Sequence, residues 1–222
     1  MPPRHSTPAL LSLVLHGDLL DPWCWLAEKR ITIVADELHG RFAPLEQSPW
    51  PRRWEPRAPT AAERRQRVRE LTRAAKEPDA PPFSVELWDS DAGPRTSAPP
   101  LIAVAAARMQ GPAAAASMRE ALRAAALVCG IDVTRSDIII EIASRAGLDL
   151  ARFVPAFQAP ATERALRAQI EVACDRGVET GPALVIGEDW LLSGARSLRD
   201  YRTVLKRYLA KRGGTTVEHT VH

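Results

Sequence analysis

The sequence reads as an α/β fold carrying a helical insertion, on three observations. The chain opens with strand, helix and strand signals. It closes with helix, strand, strand and helix signals. Between them, apolar residues recur at helical spacing. The two ends can complete one sheet with helices on both faces, which leaves the middle as a helical block on top. This divides the chain into a β-α-β half over 9–50, a helical insertion over 51–160, an α-β-β-α half over 161–212 and a disordered tail over 213–222.

Residues 9–15, ALLSLVL, form a short continuous apolar run that suits a buried strand. Asp21-Pro22 then starts a helix, with Asp as the cap and Pro at the first helical position. Leu26, Ile31, Val34, Ala35 and Leu38 follow at helical spacing, and Gly40 ends the helix. Phe42–Leu45 is the expected second strand. Residues 46–59, rich in proline, arginine and tryptophan, read as loop. Thr60 and Glu63 have capping-box spacing at the start of a charged helix over 60–76. Residues 77–99 read as loop, with a short strand expected at 83–87.

From 100 to 128 the chain is alanine-rich and helical, interrupted at Gly111-Pro112. Helices are expected over 134–146, 150–157 and 161–175, the first and last stopped by Gly147 and Gly177. The period then changes. Residues 183–187 and 189–194 read as two strands joined by a tight turn at Gly187-Glu188, a hairpin signal. Residues 197–211 form the last helix, closed by Gly213-Gly214.

The 222 residues are 45% hydrophobic and 26% charged, as in ordinary globular chains, and are long enough to bury a sizeable core. The net charge is +3. Much of it lies in Arg52–Lys76 and around Lys206, Lys211 and Arg212, which read as solvated helix faces. A nucleic-acid partner would call for aromatics on a basic face or a reading motif, and neither is present. Cys24, Cys129 and Cys174 have no metal-ligand spacing, so no metal is expected. So sparse a set fits a reducing cytoplasm. Ala9–Leu15 is too short for a signal peptide, and Asp18 and Asp21 stand where a small-residue cleavage site belongs. No stretch is long and apolar enough to span a membrane.

Asp18-Leu19-Leu20-Asp21-Pro22-Trp23-Cys24-Trp25 is the most informative stretch. With GVETGPALVIGEDWLLSGARS, from Gly177 to Ser197, and TRSDIIIEIASRAGLDLARF in the middle, it resembles the DsbA family of thioredoxin-fold proteins, in the branch of the FrnE-type dithiol oxidoreductases. That family carries Cys-Pro-Trp-Cys-Tyr at the start of the first helix. Pro22, Trp23 and Cys24 match, Trp25 replaces one aromatic with another, and Asp21 stands at the first cysteine. Pro182 falls at the family's cis-proline. The resemblance covers most of residues 9–210 and is poorest from 50 to 115. It implies a thioredoxin-like fold with a DsbA-like helical insertion.

In such proteins the first cysteine is a thiolate, held by the helix N-terminus, and the second resolves the mixed disulfide. A carboxylate forms no mixed disulfide, so ordinary dithiol cycling is excluded at this site. Related kappa-class glutathione transferases and hydroxychromene carboxylate isomerases hold a serine there and stabilise a glutathione thiolate. Two like charges about 4 Å apart repel by roughly 4 kcal/mol at an effective dielectric of 20. A glutathione thiolate beside Asp21 therefore requires Asp21 to be protonated. The helix N-terminus favours the ionised form, whereas a buried pocket wall raises the pKa.

Asp21 thus reads either as a helix cap or as a general base or ligand-binding carboxylate. Cys24 reads as a poor nucleophile raised by Asp21, as a one-cysteine thiol with Asp21 as proton acceptor, or as retained core. Cys129 and Cys174 read as small core residues. His16, in line with the strand, reads either as a histidine facing the site or as a satisfied strand-end histidine. The candidate catalytic residues are Asp21 and Cys24. The candidate substrate-binding residues are Pro22, Trp23, Trp25, Thr180, Gly181, Pro182, Ser193 and Gly194, with at most one of Trp23 and Trp25 pointing into the site.

Three functions follow. The first is an oxidoreductase relative whose site is turned to a small molecule or thiol, with glutathione as the implied cofactor. The second is a non-catalytic thioredoxin-fold adaptor that holds a peptide. The third is an isomerase or proton-transfer enzyme using Asp21. The alanine-rich helices can bury a homodimer interface or pack on the sheet.

Overall fold

The computed structural model describes residues 10–213. Strand β1, Leu13–Gly17, lies at the centre of a four-stranded sheet of order β2-β1-β3-β4. It pairs in parallel with β2, Glu46–Pro49, and antiparallel with β3, Ala183–Ile186; β4, Trp190–Ser193, pairs antiparallel with β3. The hairpin expected at Gly187 is thus present, with Ile186 opposite Trp190.

The second strand was expected at 42–45 and forms at 46–49, inside the supposed loop. Pairing with the first strand does begin at Phe42, as an isolated bridge to Leu11, and Ala43 N–H donates to the Leu11 carbonyl at 2.9 Å. Pro44 has no N–H to continue the ladder, and it resumes at Glu46. The first strand likewise starts later than the apolar run; Ala9, where that run begins, lies outside the described residues.

Strand alternation divides the core. Leu13, Leu15, Leu184 and Ile186 face helices α1, Pro22–Glu37, and α9, Leu198–Gly213, where Ile31, Val34, Tyr201, Leu205 and Tyr208 close the layer. Each Leu or Ile so buried is worth about 2 kcal/mol. Val14, Ala183 and Val185 face the other way, against Ala173 of α8, Pro160–Asp175, and against Val178 and Trp50. The last helix runs to Gly213; the rest of the expected disordered tail lies outside the described residues.

The insertion has its own core. Helices α2, Ala61–Ala74, α3, Glu86–Asp89, α4, Ala98–Arg108, α5, Pro112–Arg123, α6, Ser136–Arg145, and α7, Leu150–Gln158, contribute Leu71, Trp88, Leu101, Met118, Ile139 and Phe153. A π-helical turn over Ala124–Val128 follows α5. Trp25 of α1 and Leu166 of α8 belong to this core too, so both helices span the two layers. The strand expected at 83–87 is instead the turn of α3. Ser84 N–H is taken by the Leu127 carbonyl, Trp88 N–H by Val85, and Leu87 and Trp88 turn inward. Among the described residues no helix is long and apolar enough to cross a membrane.

Candidate functional site

The site forms where the N-terminus of α1 meets the loop before β3. Asp21 has extended backbone, and its Oδ1 accepts the Trp23 N–H at 2.8 Å, the geometry of a helix cap. Pro22 fills the first helical position, where no N–H is needed. The facing loop crosses close to β1. The Gly181–Pro182 peptide is cis, and a Cβ on Gly181 would lie 3.2 Å from Gly17 Cα and 3.3 Å from the His16 carbonyl oxygen. Gly194 N–H donates to the Pro182 carbonyl at 2.7 Å, which ties the end of β4 to the same edge.

A pocket of about 350 Å³ opens between these segments. Of the candidate residues, Asp21, Trp23, Gly181, Pro182 and Gly194 line it, together with Arg52, Gln66, Glu70 and Arg73. Thr180 and Ser193 are exposed beside it but do not line it, and Pro22 is buried beneath. Trp25 points away into the helical core against Phe83, with ring centroids 5.8 Å apart. Trp23 is therefore the aromatic of the pocket.

The charged wall was missed in the sequence. Arg52–Lys76 is not simply a solvated face. Arg67, Leu71 and Ala74 are all buried, at i, i+4 and i+7 on α2, so Arg67 sits inside the apolar stripe. That spacing was the available signal. The Arg67 guanidinium lies 4.6 Å from the Trp88 ring and donates to the Leu20 carbonyl.

Glu70 collects the hydrogen bonds. Both terminal nitrogens of Arg52 donate to it, one of them at 2.9 Å; Gln66 donates at 2.9 Å and Arg67 at 3.2 Å. Burial pushes the Glu70 pKa up, but the hydrogen bonds from Arg52 and Gln66 and the nearby positive charges overcome it and hold the carboxyl at about 2. Asp21 receives less. Its Oδ2 stands 3.9 Å from Arg52 and 3.8 Å from Arg67, beyond hydrogen-bond distance. Burial therefore prevails over the two arginines and the Trp23 N–H, and with Asp18 nearby the Asp21 pKa is raised. Asp18 is buried but fully used: it accepts from Leu20 N–H at 2.8 Å, Arg52 N–H at 2.6 Å and Ser97 Oγ–H at 2.5 Å.

Cys24 is buried, 1% exposed, with its sulfur against Gly17. Burial, then the charges of Asp21 and Asp18, push its thiol well above the ordinary range. This geometry suits retained core, and Cys24 does not line the pocket. Cys129 and Cys174 correct the sequence reading. Both are exposed, one beyond the π-helical turn and one on the outer face of α8. His16 is also corrected: neither ring nitrogen has a hydrogen-bond partner among the described residues, and burial, with Arg176, lowers its pKa.

Comparison with known proteins agrees with this architecture. A thioredoxin family profile matches residues 61–198. The ClpXP adapter protein SpxH of Halalkalibacterium halodurans is 30% identical over 129 residues, which is 58% of this chain and 42% of that protein. The chain thus spans well under half the length of that relative. The cytosolic disulfide reductase DsbM from Pseudomonas aeruginosa is 23% identical in sequence, with a TM-score of 0.69 over 90% of this chain and 99% of that one. A Nitrosomonas europaea structure described as a candidate protein disulfide isomerase has a TM-score of 0.79 at 21% identity, over 91% of this chain and 99% of that one.

Proposed function

Because the chain belongs to the thioredoxin family, folded as the DsbA-like proteins are, we propose that it binds a small thiol of the glutathione class and exchanges its proton with Asp21, without cycling a dithiol. One observation carries the reading. Asp21 lines an open pocket, while the two arginines beside it make their hydrogen bonds to Glu70. The carboxyl is thereby left with a raised pKa, within 4 Å of two guanidiniums that it does not hydrogen-bond. A thiol S–H gives its proton to Oδ2, leaving a thiolate beside a neutral carboxylic acid; no electron moves and no oxidant is needed. The like-charge repulsion of thiolate and carboxylate is thereby avoided. The cis-proline edge offers backbone groups to a peptide-like ligand, and Arg52 and Arg73 offer charge to its carboxylates. DsbM from Pseudomonas aeruginosa has also been solved with GSH, which supports this ligand class. Three unpaired cysteines support a reducing, cytoplasmic setting.

Calorimetric titration of reduced glutathione tests this, with the ultraviolet thiolate band followed against pH and turnover of a model disulfide followed in parallel. Saturable binding is expected, with the band of bound thiol appearing at lower pH in the wild type than in Asp21→Asn, and no disulfide turnover. Absence of binding, or turnover that disappears in Cys24→Ala, overturns it.

An adaptor reading has its own support. Arg52, Arg53, Arg57, Arg64 and Arg67 line a second cavity of about 530 Å³ beside the site, which suits an acidic peptide, and a relative is named an adapter. Under that reading the protein binds an acidic peptide there and gives no heat with glutathione.

A further inference from the structure

A third cavity, of about 420 Å³, lies between the β2 edge and helices α4, α5 and α8 and shares no lining residue with the Asp21 pocket. Its volume is that of a small-molecule site. The walls are apolar: Leu19, Leu101, Val104 and Leu166. The polar lining includes Arg119, Arg123, Gln47 and Arg108, the last exposed and paired with Glu46. Arg123 is 3% exposed, and its Nε–H has no hydrogen-bond partner among the described residues. Gln47 Nε2, on β2, is also buried without one among those residues. Both are donors, and a buried donor left unmade costs about 1–3 kcal/mol. The charge leans in the same direction, because two guanidiniums share one ion-paired carboxylate. Among the described residues Glu28 is the carboxylate paired with both guanidiniums, Arg119 at 3.1 Å and Arg123 through a short contact, while Glu120 acts on Arg119 through its charge without an ion pair. Burial, together with the like charge of Arg123, lowers the Arg119 pKa although Glu28 opposes it.

We propose that this cavity binds a small amphipathic carboxylate, its head accepting from Arg119, Arg123 and Gln47 and its hydrocarbon tail lying along Leu101, Val104 and Leu166. One anion supplies the missing acceptors and the missing charge together, and the apolar walls select a tail over a polar metabolite. Octanoate is the probe and octanol its uncharged counterpart, each titrated calorimetrically into the full chain. Saturable octanoate binding is expected, at least tenfold tighter than octanol. Arg119→Gln weakens octanoate at least tenfold. Ala105→Phe, which fills the cavity from a half-buried wall position, abolishes it and leaves glutathione binding unchanged. No saturable octanoate binding to the wild type overturns the proposal, as does equal binding of octanoate and octanol, and neither result depends on a variant folding. Undiminished octanoate binding in Ala105→Phe, folded by circular dichroism, places the ligand elsewhere and overturns it too.

Discussion

A methyl group on Gly17 would lie 2.9 Å from Cys24 Sγ and 3.1 Å from its Cβ, closer than packed atoms stand. The first helix can sit this low on the sheet because β1 ends without a side chain. In an open strand Ala would be preferred to Gly, so here the overlap decides the sign. Gly17→Ala is expected to cost about 1–3 kcal/mol in urea unfolding. Adding Cys24→Ala removes the sulfur, and the double variant is expected to be more stable than the sum of the two singles by about 1 kcal/mol or more. Strict additivity would show that the contact is absent. Asp21 gives a pH dependence. Its folded-state pKa lies above the unfolded one, so the folded chain binds more protons between the two, and stability falls as pH rises through the raised value. Asn caps a helix as well as Asp does. Asp21→Asn is therefore expected to melt above the wild type at about pH 8, with the gap closing toward about pH 4, below which both carboxyl states are protonated. A gap independent of pH would refute this. The cap at Asp21 was legible in the sequence because capping is local. Its surroundings were not, because Arg52, Arg67 and the Glu70 that holds them lie 31 to 49 positions along the chain and come to it only through the tertiary fold.

Helix α1 is the tie between the sheet and the insertion. On one side Arg30, 4% exposed, donates to Asp79 at 2.6 and 2.8 Å, to Glu77 at 2.6 Å and to the Arg196 carbonyl at 2.9 Å. On the other, Glu28 holds Arg119 and Arg123 of α5. One guanidinium thus joins three chain segments that are far apart in sequence. Arg30→Ala is expected to cost about 1–3 kcal/mol, because Glu77 and Asp79, each about a third exposed, regain water while the Arg196 carbonyl loses its donor. Chemical denaturation measures it; a loss below about 0.5 kcal/mol would mean the contacts are ornamental surface pairs. Elements with local signals were readable. The capping box of Thr60 and Glu63 forms as the spacing suggested, and Gly111, at φ +119, with Pro112 breaks the alanine-rich run. The misread elements are those decided by neighbours: β2, which needs β1 to pair with, and the turn of α3, which folds inward because Leu87 and Trp88 find the helical core rather than a strand.

The molecule was legible at its two ends and least so in the middle, where residues 50–100 carry few periodic signals and much of the charge that surrounds the pocket. Its four-stranded sheet has two unlike borders. The β2 border is shielded by α8 and α4 across the 420 Å³ cavity. Among the described residues β4 has only β3 beside it in the sheet, and Leu191 is 40% exposed. A bare strand border invites another chain to add to it. This border is only four residues long. Glu188 and Asp189 precede it, Gly194 at φ +81 turns the backbone away at its end, and Arg196 follows. Short length and flanking charge are what keep such a border from stacking into fibrils. The residues that frame β4 are thus expected to limit aggregation at high concentration, and one of them, Gly194, also lines the pocket of Asp21.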